Sequence, residues 1–372
     1  MSKKILFFCG GAYISGMEVV TLHLMKGLKE KGYEVRCIFS GWNDGNFKKK
    51  LDEIGIPNYA IKVGWIYIRK PLWTLDTLIH YPKAFYTCKK ILKEYNPDIC
   101  QFCNFSMSIM LYQLITQKSV YNLQETHNAN FKTKSIFRLL NKKIKYFTAV
   151  SNHIVNVLTQ LKIPGEKIKL IYNGIPIVET LTSIKTRQQN SSPLYFAIIG
   201  QVVVWKGHLV LVEAVHNLTQ RGINNFKVLI YGNDSTAFTL ELKSVIKKRG
   251  LVDNFVWKGF INDQNKVYDD CDVVIVPSLS GEPCSLTIIE SMARCKALIV
   301  SDRGGNPELV QDKVNGMIFN EVSPVQLSLC MEYLINNPSK IKEFGIAGKS
   351  KANLHYTCLN MTASYVDLYN KL

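Results

Sequence analysis

Residues 280–319 read SGEPCSLTIIESMARCKALIVSDRGGNPELVQDKVNGMIF, and no other stretch of the chain is as informative. Two carboxylates, Glu282 and Glu290, surround a turn that opens a helix; the strand ALIVS follows, and a glycine pair then opens a second helix. Helix N-termini beside the ends of buried strands make anion-binding crevices, where carboxylates suit the hydroxyls of a sugar or ribose. The stretch therefore predicts an α/β site for a ligand that carries both phosphate and hydroxyl groups, as a nucleotide-sugar does.

Strand-like and helical patterns alternate on both sides of a polar stretch in the middle of the chain. KKILFFC, an apolar helical spacing from Val19 to Leu28 and then EVRCIFS form a βαβ unit, which implies a parallel sheet. A second series of strands begins at LYFAIIG (194–200) and continues through FKVLIYG, NFVWKGF, DVVIVPS and ALIVS. We predict two Rossmann-like, doubly wound domains that face one another across a cleft.

The length supports two domains, because cores tend to split beyond roughly 250–300 residues and the chain has 372. The predicted limits are 1–175 for the first domain, 176–193 for a linker and 194–352 for the second domain. Residues 353–372 have helical spacing with no strand to cover, and they could form a helix that returns to the first domain.

Positive charge is concentrated in the first half of the chain. Residues 1–180 hold 26 Lys and Arg against 12 Asp and Glu (net +14), and the remainder holds 20 against 17 (net +3). Nucleic acid or an anionic lipid surface would both suit this asymmetry, but no zinc-finger, helix-turn-helix or RNA-binding signature accompanies it. Surplus surface lysine without a partner is the alternative. Scattered cysteines, no signal peptide and no apolar run of spanning length favour a cytoplasmic protein.

Three residues of the second domain are candidates for a phosphate-and-hydroxyl site. Lys206, in GQVVVWKGH, stands where its ammonium could reach a phosphate across a helix start, although this segment alone favours a solvated surface lysine. Glu282 precedes a proline and should be extended, with Ser285 as the N-cap of the next helix. Glu290 lies in the apolar run LTIIESMA, where a buried carboxylate needs partners. We expect both glutamates to face the crevice.

The first domain offers weaker signals. The loop GGAYISGME has the glycine spacing of a P-loop but lacks its Lys-Ser/Thr, so only backbone N–H groups near Gly16 could approach a phosphate; a plain turn fits equally. His127 follows a strand end, in either a structural or a functional role. Two other motifs favour structural roles: Asp270-Cys271-Asp272 as a helix end and strand start, and Cys100-x-x-Cys103 as part of a buried strand.

Taken together, these segments resemble family 4 of the retaining glycosyltransferases, whose GT-B fold has two facing Rossmann-like domains. The resemblance covers nearly the whole chain. It is carried by SGMEVVTLHLMKGLKEKGYEV (15–35), AVSNHI (149–154), IYNGIP (171–176), GQVVVWKGHLVLVEAV (200–215), the paired-glutamate region that ends in SGEPCSLTIIESMA (280–293), and SDRGGNPELVQDKVNGMIF (301–319).

The resemblance implies a role for each matched position. Glu282 would contact hydroxyls of the transferred sugar, Glu290 the ribose hydroxyls, and Lys206 the pyrophosphate. His127 matches the family histidine near the transferred sugar. Backbone amides near Gly16 and at Cys284, Ser285 and Leu286 would help to bind the phosphates and the sugar. No metal or cofactor is implied, because lysine and helix N-termini stabilise the departing diphosphate.

The chain departs from the family pattern in two places. The family usually has arginine after the glycine that ends the first strand of the second domain; this chain has Gln201, and Arg303 beside Gly304 is a candidate substitute. The glutamate motif reads EPCSL where EPFGL is commoner, so Cys284 and Ser285 alter the turn that faces the sugar. These changes put the donor sugar and full activity in question.

The implied function is transfer of a sugar, from a UDP-linked donor, to a cell-surface glycan or lipid-linked acceptor. Two alternatives stay open: a catalytically weakened glycan- or nucleotide-binding subunit, and another GT-B sugar-nucleotide-processing enzyme. The basic first domain would bind an anionic membrane surface through residues 65–73 and 131–147, which mix Lys and Arg with aromatic and aliphatic residues. The expected location is therefore the cytoplasm, at the inner face of the cell membrane.

Overall fold

The computed structural model describes residues 3–10, 13–63, 71–178, 193–233, 235–261 and 263–372. The chain divides into a first unit, Met1–Pro176 with Thr357–Leu372, and a second unit, Ile177–Tyr356. The predicted C-terminal segment, 353–372, is thus shared: its first residues complete a helix of the second unit, and the rest belongs to the first. Most of the predicted linker lies outside the described residues.

The first unit alternates strands and helices along the chain. Its elements before residue 177 are β1 (Lys4–Cys9), α1 (Gly16–Glu30), β2 (Glu34–Ser40), α2 (Asn46–Glu53), β3 (Asn58–Ile61), α3 (Pro71–Tyr95), β4 (Ile99–Phe102), α4 (Phe105–Met110), β5 (Ser119–Leu123), α5 (Phe131–Asn141), β6 (Tyr146–Ala149), α6 (Asn152–Gln160) and β7 (Ile168–Leu170).

The second unit repeats the alternation, and one further helix follows it. The elements are β8 (Leu194–Ile199), α7 (His208–Gln220), β9 (Phe226–Tyr231), α8 (Ala237–Lys248), β10 (Phe255–Gly259), α9 (Gln264–Asp269), β11 (Val273–Val276), α10 (Leu286–Ala293), β12 (Ala297–Ser301), α11 (Asn306–Leu309), β13 (Met317–Phe319), α12 (Pro324–Asn336), α13 (Pro338–His355) and α14 (Cys358–Tyr369).

Each unit is built on a parallel sheet with a strand-order reversal. The first sheet has the order β3-β2-β1-β4-β5-β6-β7 and the second β10-β9-β8-β11-β12-β13. In the second sheet Phe196 of β8 pairs with Val273 of β11. The chain order reverses between β1 and β4 and again between β8 and β11. Ligands of doubly wound folds bind outside the carboxyl ends of the strands at such a switch point.

The central strands form because both of their faces are covered. All five residues of β12 (ALIVS) and all four of β11 (VVIV) are buried. Strands buried on both faces read as continuous β-branched and aliphatic runs, and this is the pattern that the sequence shows. The two doubly wound domains are thereby confirmed.

Two short strands were not predicted. β3 (NYAI) and β13 (MIF) pair at the edges of their sheets, beside β2 and β12. Neither has a long apolar run: one residue of β3 is buried, and β13 has three residues in all. Edge strands of this length carry too little pattern to be distinguished from loops.

Helix α14 packs within the first unit. The Tyr369 hydroxyl donates to Gln101 Oε1 at 3.1 Å, and the Tyr365 hydroxyl lies 3.1 Å from Thr148 Oγ1. Both tyrosines are buried, so each ring fills the core while its hydroxyl forms a hydrogen bond with a polar side chain of a strand. The last residues of the chain therefore complete the core of its first unit.

Candidate functional site

The site in the second unit lies at the carboxyl ends of β8, β11 and β12. The loops that leave these strands carry Lys206, Glu282 and Arg303, respectively. β8 and β11 flank the strand-order reversal, so the lysine and the glutamate project from the two sides of the switch point. Residues far apart in sequence are thus brought to one edge of the sheet.

Lys206 and Glu282 form an ion pair there. Lys206 Nζ donates to Glu282 Oε1 at 2.9 Å, and the two side chains are 18% and 7% exposed. The Ser278 hydroxyl donates to the same carboxylate oxygen. Glu282 Oε2 accepts no hydrogen bond from the part of the chain that the structure describes. The pair is therefore a fixed cation beside a carboxylate with one oxygen still able to accept from a ligand.

Close backbone contacts hold these two residues in place. Gly207, with φ of +78°, lies so near Pro277, the residue after β11, that an added Cβ would be 1.8 Å from the Pro277 carbonyl oxygen. Gly304 likewise packs on Glu282, where a Cβ would be 2.3 Å from the carbonyl oxygen, and Gly305 N donates to that oxygen at 2.8 Å. Only glycine fits such contacts at a positive φ.

The turn before α10 presents Cys284 and Ser285, both buried. Ser285 is the N-cap residue, as predicted, but its side chain makes no capping hydrogen bond. Its residue is 4% exposed, and its hydroxyl has no hydrogen-bond partner among the described residues. A buried hydroxyl without a partner costs about 1–3 kcal/mol, so a hydrogen bond from a ligand at the helix N-terminus would recover that cost.

Glu290 occupies a separate position from Glu282. The Tyr268 hydroxyl donates to Glu290 Oε2 and the Gln264 amide to Oε1, both at 2.9 Å. Burial raises the pKa of Glu290, while these donors and the nearby Arg294 oppose the shift. Each carboxylate oxygen has a second lone pair, so Glu290 can still accept two hydroxyls from a ligand.

Gln201 and Arg303 differ in their surroundings. Gln201 is exposed and lines a small depression together with Lys206, Ser278 and Thr287. Arg303 Nε lies 3.3 Å from Asp302 Oδ1, so its charge is already partly compensated. The role of Arg303 as a substitute cation stays a prediction.

His208, the first residue of α7, was missed by sequence reasoning. It is buried and lines the same depression as Lys206. Burial lowers its pKa to about 4, so the ring is neutral at physiological pH. The position directly after a lysine-glycine pair was the available signal, but a lone histidine could not be distinguished from a surface residue.

The candidates of the first unit lie at the carboxyl edge of its own sheet. Gly16 begins α1, and part of the loop before it lies outside the described residues. Glu18, which was not predicted, is buried and accepts from the Ser15 backbone N–H at 2.9 Å; burial raises its pKa. Ser15-x-x-Glu18 is the sequence pattern of a capping box, the signal that could have identified it.

His127 is packed between aromatic rings. Its ring centroid lies 4.7 Å from that of Phe105 and 5.6 Å from that of Phe137. Its Nε2 lies 4.0 Å from Glu125 Oε2 and has no hydrogen-bond partner among the described residues. Burial lowers the pKa of His127, which favours a neutral ring that can donate or accept.

The two other motifs have structural surroundings. Asp270 follows the end of α9 and pairs with Lys258 at 2.8 Å, and Asp272 Oδ2 accepts from the Tyr195 backbone N–H at 2.9 Å. Cys100 and Cys103 are buried. Within the described ranges, no three His, Cys, Asp or Glu side chains are grouped in a way that could hold a metal ion.

Comparisons with known proteins cover both units. The family model "Glycosyl transferases group 1" matches residues 181–351, and "Glycosyltransferase Family 4" matches residues 14–179. An uncharacterised glycosyltransferase of Methanocaldococcus jannaschii is 26% identical over 198 residues, which is 48% of this chain and 50% of the relative. The chain thus spans about half the length of that curated relative.

Solved structures match the fold over the whole chain. A glycosyltransferase from Rickettsia africae has a TM-score of 0.83 at 22% identity and covers 100% of this chain and 98% of its own. Anabaena HepE, solved in complex with UDP and glucose, has a TM-score of 0.81 at 20% identity, with 100% of both chains covered. The fold is therefore GT-B.

The contact between Gly207 and Pro277 can be tested with a matched pair of variants. Gly207→Ala should lower the midpoint of thermal unfolding by several degrees, because the new methyl group collides with Pro277 O. Gly222 has almost the same φ, +76°, but open space around its Cβ position. Gly222→Ala therefore pays the backbone strain alone, about 1 kcal/mol. Equal shifts in the two variants would contradict the close-contact interpretation.

Proposed function

Because the chain belongs to glycosyltransferase family 4, we propose that it transfers a sugar from a nucleotide-sugar donor to a glycan or lipid-linked acceptor. The observation that carries this proposal is the Lys206–Glu282 pair at the switch point of the second sheet. A largely buried cation beside a half-satisfied carboxylate suits a ligand in which a diphosphate adjoins a hydroxyl-rich ring.

Lys206 is the proposed stabiliser of the leaving group. When the bond from the sugar C1 to the diphosphate oxygen breaks, negative charge develops on the phosphate. A preorganised ammonium stabilises that charge most effectively where little water can compete. The helix N-termini of α7 and α10 add unpaired backbone N–H groups to the same edge. This arrangement supports a reaction without a metal ion.

The two glutamates have different proposed partners. Glu282 accepts from hydroxyls of the transferred sugar through Oε2, because Oε1 is already bonded to Lys206 and Ser278. Glu290 accepts from the ribose hydroxyls through the lone pairs that Tyr268 and Gln264 leave open. The different surroundings of the two carboxylates support this division.

We propose retention of configuration at the sugar C1. The acceptor oxygen forms its bond to C1 on the face from which the diphosphate departs, and the departing phosphate oxygen takes the acceptor proton. The products are the glycosylated acceptor and a nucleoside diphosphate, so no protein nucleophile is needed. The roles of His127 and of the backbone near Gly16 remain predictions from the family resemblance.

A UDP-sugar is the proposed donor. The Anabaena structure with the same fold holds UDP and glucose, which supports a uridine nucleotide but leaves the sugar open. For the acceptor we propose a cell-surface glycan or its lipid-linked precursor, with the protein at the cytoplasmic face of a membrane. The net charge of +14 in residues 1–180 supports an anionic surface as the partner.

Removing either member of the ion pair should abolish most of the transfer. Lys206→Met and Glu282→Gln should each lower kcat by about 10²–10³-fold, because each removes a group that acts on the reacting end of the donor. The matched control is Lys258→Met, which removes a surface lysine whose ion pair with Asp270, at 2.8 Å, is similar in length to the 2.9 Å pair of Lys206 with Glu282. Release of UDP from a panel of UDP-sugars measures the rate.

The stability of these variants separates a catalytic role from a structural one. Breaking a buried pair on one side costs about 3–5 kcal/mol, whereas removing both partners costs much less. The double variant Lys206→Met/Glu282→Gln should therefore regain stability but not activity. Full transfer activity in both single variants would refute the site, and donor binding without any turnover in the wild type would favour the binding-subunit alternative.

The pH dependence of donor binding should report the protonation of Glu290. Because its pKa is raised, Glu290 becomes protonated at a higher pH than an ordinary glutamate does. The affinity for a UDP-sugar, whose diphosphate does not titrate near neutral pH, should be constant at neutral pH and fall on mild acidification. Glu290→Gln should bind weakly with little pH dependence, while Glu332→Gln, at a surface pair with Arg221, should keep the wild-type profile.

The unpartnered Ser285 hydroxyl should contribute to sugar selection. The Ser285→Ala variant should be at least as stable as the wild type in the absence of ligand. The substitution removes a buried hydroxyl that has no hydrogen-bond partner among the described residues. We expect about tenfold weaker binding of the preferred UDP-sugar and unchanged binding of UDP. Ser328→Ala is the control: its buried hydroxyl donates to Val325 O at 2.7 Å, so it should lose stability without changing affinity. Equal loss of UDP and UDP-sugar affinity in Ser285→Ala would refute the assignment.

A further inference from the structure

Helix α3 is firmly attached to the first unit along one face. Five of its residues, at the spacing of a single helical stripe, are buried: Thr77, Ala84, Cys88, Ile91 and Tyr95. Hydrogen bonds fix the helix further: the Trp42 indole donates to Asp76 Oδ2 at 2.7 Å, and the Tyr81 hydroxyl donates to Met110 O at 2.8 Å. The orientation of α3 about its axis is therefore determined.

The opposite face of α3 is apolar and exposed. At 100° per residue, Leu75, Ile79, Pro82 and Tyr86 lie on a stripe about 180° from the buried one. The exposed fractions are 78% for Leu72, 54% for Leu75, 57% for Leu78, 67% for Ile79 and 70% for Tyr86. Singly exposed apolar residues are common, but a contiguous stripe over four helical turns indicates a surface that meets a partner.

Lysines extend this stripe toward the end of the helix. Lys83, Lys89, Lys90 and Lys93 are all exposed. Of the two acidic residues of α3, Asp76 bonds to Trp42 and Glu94 lies 3.7 Å from Lys90. The outward face therefore combines aliphatic and aromatic side chains with net positive charge, which is the composition of helices that lie in a bilayer interface.

We propose that this outward face of α3 docks on an anionic phospholipid surface, with the helix axis in the plane of the interface. The apolar side chains enter the boundary between headgroups and acyl chains, and the lysines contact the headgroup phosphates. The inference rests on the membrane association proposed above and names the surface that performs it. No helix in the described part of the chain is long and apolar enough to cross a bilayer.

Charge favours lipid over a second copy of the protein as the occupant. The outward face carries four exposed lysines, Lys83, Lys89, Lys90 and Lys93, against Glu94, so two copies of it would bring like charges together and repel one another. An anionic bilayer neutralises the same charges and releases counterions.

The two segments expected from sequence to meet the membrane contribute less. Residues 65–70 of the first lie outside the described residues, and its remainder, 71–73, begins α3. In the second, 131–147, the residues Phe137, Leu140, Ile144 and Phe147 are buried in the core of the first unit. Its large exposed apolar residues are Phe131 and Leu139, which do not form a continuous stripe. The structure thus assigns the larger apolar surface to α3.

Flotation of the full chain with vesicles tests the proposal. Vesicles of phosphatidylcholine alone are compared with vesicles rich in phosphatidylglycerol at low salt. Leu75→Gln/Ile79→Gln keeps the charge and the helix propensity but removes the apolar stripe, and it should weaken binding to the anionic vesicles at least about tenfold. Lys89→Gln/Lys90→Gln should weaken binding and reduce its dependence on salt.

The control is Leu240→Gln/Leu329→Gln, which changes two exposed leucines of the second unit, 63% and 51% exposed. It should bind vesicles as the wild type does, and all variants should keep donor hydrolysis. If the wild type binds anionic vesicles and the Leu75/Ile79 variant binds equally, the assignment to α3 fails while membrane association stands. If the wild type does not bind anionic vesicles, both the assignment to α3 and the proposed membrane association fail. A wild-type dimer that the same variant dissociates would make a second copy the occupant and overturn the lipid assignment.

Discussion

The arrangement at the switch point of the second sheet depends on close contact between backbones. Gly207 lies against the backbone of Pro277, and Gly304 lies against that of Glu282, so the loops after three neighbouring strands touch without intervening side chains. Leu279 N donates to Trp205 O at 2.8 Å and Gly305 N to Glu282 O at the same distance, which connects all three loops. The Lys206–Glu282 pair follows from these contacts, because each partner is adjacent to a backbone position that cannot shift independently.

Much of the fold could be predicted because parallel strands that are buried on both faces have a distinct sequence pattern. Glu290 was also recognisable, since an apolar helix that carries a carboxylate must supply it with partners. Glu282 was recognisable from its place in the turn that opens α10. The partners themselves could not be predicted. Tyr268 lies 22 positions before Glu290 and Lys206 lies 76 before Glu282, and only the completed sheet brings them within 3 Å. We expected both glutamates to face one crevice, but the sequence did not indicate that each carboxylate has its own hydrogen-bond donors.

The hydrogen bonds of α14 in the first unit could not be predicted from the sequence, although the residue types indicated a buried helix. Tyr365 and Tyr369 occupy adjacent turns of α14, and their rings lie 5.7 Å apart. A sequence pattern marks them as core residues, but not the strands that their hydroxyls reach. Those strands are β6 and β4, more than 200 residues earlier, where Thr148 and Gln101 lie in a buried sheet. The tyrosine hydroxyls give Gln101 Oε1 and Thr148 Oγ1 a hydrogen-bond partner, which lowers the cost of burying these polar groups.

The departures from the family pattern affect the charges around the proposed diphosphate site. With Gln201 in place of the usual arginine, Lys206 is the cation adjacent to the proposed diphosphate site, and its charge is compensated by Glu282 while no donor is bound. A diphosphate would accept from N–H groups of that ammonium that Glu282 does not hold, and the shared ammonium would then bind Glu282 Oε1 less strongly. A hydroxyl of the donor sugar that donates to Glu282 Oε2 would add a hydrogen bond to this largely buried carboxylate. On the proposed function, recognition of the diphosphate and of the sugar are therefore coupled through one ion pair, and the unpartnered Ser285 hydroxyl adds to the sugar side of that coupling.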